Sequence, residues 1–145
     1  MTKQREVRIA IVGAGLMGST HASTLTFSTK NVVISHIVDK GLARAADVAE
    51  PIDGAVATTA LQPALEDCDG VIITAPDEYH REPIEQVLVA GKPVLCEKPL
   101  ATTLEDCLGL LNAESQLSRP LISLGLMFPW VSCADLIRDT ARCAE

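Results

Sequence analysis

The sequence predicts a doubly wound α/β fold, a single domain on a parallel sheet of about six strands with helices on both faces. Three observations carry that prediction. Short apolar runs alternate with helix-forming segments along the whole chain. The connections between them are short. The first run, Val7 to Val12, stops at a glycine-rich turn, and a helix-forming segment follows at once.

The first strand is nearly all apolar apart from Arg8, which suits a strand buried on both faces of a parallel sheet. In the turn Gly13-Ala14-Gly15-Leu16-Met17-Gly18, the three glycines have the spacing of a dinucleotide-binding fingerprint. Gly13 permits the tight turn, Gly15 lets phosphate oxygens approach the backbone, and Gly18 lets the helix pack close. The free N–H groups at the helix start, around Ala14, Leu16 and Met17, then face the anion. The first helix is predicted over Leu16 to Phe27, with Met17, His21 and Leu25 on its inner face. His21 reads as a packed, hydrogen-bonded core residue rather than a ligand.

The second strand, Val32 to Val38, closes on Asp39, which lies 21 residues after Gly18. About 20 is the spacing expected of the acid that accepts from the adenosine ribose hydroxyls. A carboxylate there repels a 2′-phosphate and favours NAD; Lys40 beside it leaves NADP open as a second cofactor. Taken alone, Asp39 also fits a helix cap or a turn. A second helix is predicted over Gly41 to Glu50, packing through Leu42, Ala45, Ala46 and Val48, with Pro51 and Gly54 as breakers.

A short third strand, Ala55 to Thr59, precedes a brief helix, Leu61 to Asp67. The fourth strand, Val71 to Thr74, ends in Ala75-Pro76-Asp77, where proline removes a backbone donor. Ligands of open parallel sheets bind at the carboxyl ends of strands. Asp39 and Thr74-Ala75-Pro76 should therefore line one crevice with the glycine turn. A third long helix is predicted over Tyr79 to Ala90, a fifth strand over Pro93 to Cys96, a fourth long helix over Thr103 to Glu114 capped by Thr103, and a sixth strand over Leu121 to Leu126. Ala134 to Ala144 fits a last helix.

Composition excludes several classes. Apolar residues make up 48% of the 145, which argues against disorder. A net charge of -7 argues against nucleic acid. No apolar run reaches the roughly 18 residues of a membrane span. The polar N-terminus leads straight into a strand and is no secretory signal, so a cytoplasmic location is the expectation. The five cysteines show no Cys-x-x-Cys pair and read as free thiols, with no metal site.

The fifth strand ends in Glu97-Lys98-Pro99, two charges at the carboxyl edge of a buried strand. Together with Thr74-Ala75-Pro76-x-x-x-His80, Gly91-Lys92-Pro93 and Cys96-Glu97-Lys98-Pro99-Leu100, the pattern resembles the N-terminal Rossmann domain of the Gfo/Idh/MocA oxidoreductases. The resemblance runs from about Arg8 to Gly125. It implies an oxidoreductase that moves hydride between a nicotinamide cofactor and a sugar or polyol carbon. It implies that Lys98 is catalytic, touching the reacting oxygen and helping to move its proton. A lysine suits that task where burial and a neighbouring cation lower its pKa. Glu97 is expected to hold the ribose or orient Lys98, and Pro99 to follow a cis bond. Thr74, Ala75, Pro76 and His80 are carried to the nicotinamide side. His80 reads as a structural or cofactor-proximal residue at a helix start, not as the catalytic histidine, which in the family comes from a second domain. Asp77 departs from the asparagine common after that proline.

The family's arginine and aromatic–Asp–Pro turn after the sixth strand are replaced here by Gly125-Leu126-Met127-Phe128-Pro129-Trp130. Residues 1–126 are expected to form the NAD(P)-binding domain, with 127–145 a residual segment and no substrate domain. A sugar or polyol then reacts only where a second domain or chain is supplied, and the chain alone should bind dinucleotide without turnover. The alternative is a free-standing, non-catalytic NAD-binding module or a truncated gene product. Phe128, Trp130, Val131 and Leu136, if left exposed, favour a homo-oligomer.

Overall fold

The computed structural model describes residues 5–125. Its elements run β1 (Val7–Val12), α1 (Leu16–Ser28), β2 (Val32–Val38), α2 (Leu42–Ala49), β3 (Val56–Thr58), α3 (Leu61–Asp67), β4 (Gly70–Ile73), a 3-10 turn (Asp77–Tyr79), α4 (Arg81–Val89), β5 (Val94–Glu97), α5 (Leu104–Ser115) and β6 (Ile122–Gly125). The six strands form one sheet in the order β3-β2-β1-β4-β5-β6, every neighbouring pair parallel. The order reverses between β1 and β4, so the crevice opens at their carboxyl ends.

Two buried clusters explain why the sheet is covered on both faces. Ala10 and Ile11 are neighbours in β1, both fully buried, and belong to different clusters. Successive strand side chains point to opposite faces, so an unbroken apolar run is needed where both are packed. Ala10 joins Leu65, Ile84, Val87 and Leu110 under α3, α4 and α5. Ile11 joins Ala22, Ala45 and Ala49 under α1 and α2.

Several expectations shift. The buried stripe of α1 is Gly18 and Ala22, small residues that let the helix lie close, while Met17, His21 and Leu25 flank it half-buried. On α2 the buried residues are Ala45 and Ala49; Leu42 is 55% exposed and Ala46 faces solvent. The helix predicted from Tyr79 starts at Arg81, because a 3-10 turn intervenes. Strand β4 starts one residue early and Thr74 falls outside it, while β5 runs through Glu97. Thr103 caps α5 as expected, its hydroxyl accepting from the Asp106 N–H at 3.1 Å. Leu126, the segment 127–145, its expected helix and its apolar Phe128, Trp130, Val131 and Leu136 lie outside the described residues. Cys68, Cys96 and Cys107 are free thiols. Among the described residues no helix is long and apolar enough to cross a membrane.

His36 stands in β2 with only 7% of its surface exposed, and its Nδ1 has no hydrogen-bond partner among the described residues. Burial, opposed by Asp67 and aided by Arg8, holds its pKa below the ordinary 6.5. The unfolded chain therefore takes up this proton first as pH falls through 6.5, and folding stability falls with it. Urea midpoints measured from about pH 7 down to about pH 5 should decline, and His36→Phe should flatten the decline. An unchanged pH dependence in that variant contradicts the assignment.

Candidate dinucleotide crevice

The glycine turn is held by three backbones at once. Gly13 has φ +101°, the left-handed region that favours glycine. Its N–H donates to the Val38 carbonyl at 2.7 Å, tying the turn to the end of β2. A Cβ at Gly13 would lie 2.6 Å from the Ala75 nitrogen. The Thr74 hydroxyl lies 2.8 Å from the Gly13 carbonyl and 3.1 Å from that of Val12, so it pins the turn from beneath. A Cβ at Gly18 would lie 1.9 Å from the Gly13 carbonyl oxygen. Gly18 thus lets α1 pack on the turn itself. A Cβ at Gly15 would meet nothing within 4 Å. There the backbone borders open space, as a pyrophosphate cradle requires. The helix that follows has no side-chain cap and no acid in its first turn, so its N–H groups keep their affinity for an anion.

Asp39 faces this turn, its side chain only 10% exposed. One carboxylate oxygen accepts the Ala14 N–H at 2.9 Å; the other accepts the Gly41 N–H at 2.8 Å and the Arg44 guanidinium at 2.7 Å. Burial alone would raise its pKa, but the two backbone donors and Arg44 outweigh it and hold the group below the usual carboxylate range. Lys40 stands over Tyr79 on the same opening, its Nζ 3.3 Å from the ring centroid.

A cavity of about 430 Å³ lies here, lined among others by Gly13, Asp39, Lys40, Arg44, Pro76 and Tyr79. Of the residues singled out in the sequence, it brings together Gly13, Asp39, Lys40, Ala75 and Pro76. Ala14, Gly15, Leu16, Met17, Gly18, Thr74, His80, Glu97 and Lys98 are not on its wall. Arg44 and Tyr79 were missed. Arg44 follows Asp39 by five residues across a helix start, a spacing without a periodic signature; Tyr79 could be read only as a helix residue.

At the end of β5 the two charges part. Glu97 is 9% exposed and accepts from or pairs with His21 Nε2 at 2.8 Å, whereas Lys98 is exposed. The expected burial of Lys98 is not found. His21 is not a core residue but a half-buried partner of Glu97, joining α1 to β5. The Lys98–Pro99 bond is cis. His80 is fully buried behind the wall, so it presents no surface to a ligand. Its Nε2 lies 2.7 Å from the Ala75 carbonyl and its Nδ1 2.9 Å from that of Pro99. Burial, with Glu97 and Asp77 adding to it, pushes the neighbouring Cys96 thiol up to about 12 and keeps it protonated.

Comparison with known proteins agrees with this fold. The model of the oxidoreductase family described as NAD-binding Rossmann fold, Gfo/Idh/MocA, matches residues 7–124. Inositol 2-dehydrogenase 2 of Saccharopolyspora erythraea is 39% identical over 123 residues, 83% of this chain and 36% of that protein. The chain thus spans little more than a third of that relative. Myo-inositol dehydrogenase from Lactobacillus casei, solved with NAD(H) and myo-inositol, superposes with a TM-score of 0.84 over 95% of this chain and 42% of its own, at 23% identity, a likeness of fold. GenD2 from gentamicin A biosynthesis, solved with NAD, gives 0.79 over 94% and 39%, at 29% identity.

The glycines separate folding from binding. Gly18→Ala should cost about 1–3 kcal/mol or more of stability, since the Gly13 carbonyl is rigid backbone. Gly15→Ala should keep the wild-type melting temperature and weaken NADH binding. Equal melting temperatures for the two variants contradict the packing described.

Proposed function

The chain belongs to the Gfo/Idh/MocA oxidoreductase family, by way of its NAD-binding Rossmann fold, and from that premise we propose that residues 1–126 form the cofactor half of a cytoplasmic sugar or polyol dehydrogenase. The observation that carries the proposal is the joint geometry of Gly15 and Asp39. One offers open backbone at a helix start; the other offers a buried, ionised carboxylate at the end of β2. A dinucleotide fits both. The turn from Gly13 to Gly18 would hold its pyrophosphate, and Asp39 its adenosine ribose. Thr74, Ala75, Pro76 and Glu97 would border the nicotinamide, with His80 behind them.

Nicotinamide, when bound, supplies the hydride acceptor or donor. Lys98 would stand at the crevice edge and take the hydroxyl proton on Nζ as hydride leaves the carbon, returning that proton to the oxygen in the reverse direction. Its exposure suits a residue that meets a substrate held by a second domain. The substrate class is that of the inositol 2-dehydrogenase relative, and a sugar or cyclitol is proposed on that likeness. Because the chain spans 36% of that relative, it is proposed to bind dinucleotide alone and to turn substrate over only with a complementary domain or chain. Leu104, Leu108 and Leu111 leave an exposed apolar stripe on α5, which supports self-association as well.

Asp39 favours NAD, and two cations flank it. Arg44 and Lys40 should let a 2′-phosphate be tolerated, making NADP a weaker second cofactor. Fluorescence titration should show tighter binding of NADH than of NADPH. Lys40→Ala with Arg44→Ala should weaken NADPH by about tenfold and NADH far less. Equal losses for both, or turnover of inositol by the isolated chain at ordinary enzymatic rates, contradict this reading.

A further inference from the structure

Among the described residues, His80 is the one fully buried ionisable side chain whose two polar atoms both meet the backbone of crevice loops. The Ala75 carbonyl belongs to the loop after β4 and the Pro99 carbonyl to the loop after β5, next to Lys98. These loops come from neighbouring strands but share no ladder bond beyond Ile73 and Cys96. We propose that His80 is a positioning residue, a two-donor brace whose imidazole holds the Ala75 and Pro99 loops at a fixed separation and so sets where Lys98 stands against the nicotinamide side.

A carbonyl oxygen only accepts, so a ring nitrogen at hydrogen-bond distance from one must donate. Both nitrogens of His80 face carbonyls, at 2.7 and 2.9 Å. A neutral ring has a single N–H and would leave a lone pair against one of those oxygens. Cys96 does not resolve the conflict as a donor to Nδ1. Its Sγ lies 3.3 Å from Nδ1 but 3.2 Å from the Glu97 carbonyl, which accepts the thiol hydrogen. Each of the two carbonyl contacts calls for a donating ring nitrogen, which is the two-donor arrangement proposed. Arg81 beside it is engaged with Glu85 and Asp106 and leaves the ring alone.

The brace bears on the nicotinamide half of the crevice and not on the adenosine half, which rests on Asp39 and the glycine turn. It therefore rests on the reading of the crevice as a dinucleotide site, and the two can be separated. With the 145-residue chain labelled at histidine nitrogen, the ring of His80 should show both nitrogens protonated and exchanging slowly with solvent. A neutral tautomer overturns the brace whether or not any dinucleotide binds. In titrations, His80→Ala should lose about tenfold in NADH affinity and keep its affinity for ADP-ribose, which has no nicotinamide. His80→Gln, whose amide can still donate, should recover part of the loss. Unchanged NADH binding, or equal loss of both ligands, overturns the brace. Failure of the wild-type chain to bind either ligand overturns the dinucleotide reading instead, and the nitrogen spectrum still decides the brace.

Discussion

Everything around the crevice depends on how closely three segments of backbone meet at Gly13. The end of β2 bonds its N–H, the loop after β4 leaves no room for a Cβ, Thr74 pins its carbonyl, and α1 lies against that same carbonyl at Gly18. Interiors are close-packed, so such a junction has little freedom to relax. It sets the start of α1 beside the carboxylate of Asp39. Asp39 strengthens the junction from the other side by accepting the Ala14 N–H. One arrangement thus serves packing and anion binding together, which is why the glycines cannot be exchanged for each other.

Much of the fold was legible because the sheet is buried on both faces. Unbroken apolar runs such as Val71 to Ile73 can be little else when short and bounded by Gly and Pro. Thr103 was legible as a cap because its hydroxyl competes for a local N–H. The face of α1 was not, since its packing stripe is made of Gly18 and Ala22, which carry almost no hydrophobic signal. The 3-10 turn before α4 was hidden for a similar reason, as Asp77 to Tyr79 read equally well as a first helical turn.

At the site, residue types were readable and their directions were not. Glu97 and Lys98 are adjacent in the chain, yet one is buried against His21 and the other is exposed. Which of them turns inward depends on strand register and on His21, a residue on a distant helix. Arg44 was invisible because its pairing with Asp39 arises only once α2 is in place. The resemblance to a family named the motifs; it did not say that His80 lies behind the wall rather than on it.

The central claim is that the glycine turn, Asp39 and the loops carrying Pro76 and Lys98 form a single dinucleotide site. Its most direct test is chemical-shift mapping of backbone amides in the chain titrated with NADH. The account predicts concerted shifts at Gly13, Gly15, Met17, Asp39, Asp77 and Lys98, with one shared saturation curve. Shifts confined elsewhere, or separate curves for the turn and for Lys98, would contradict it.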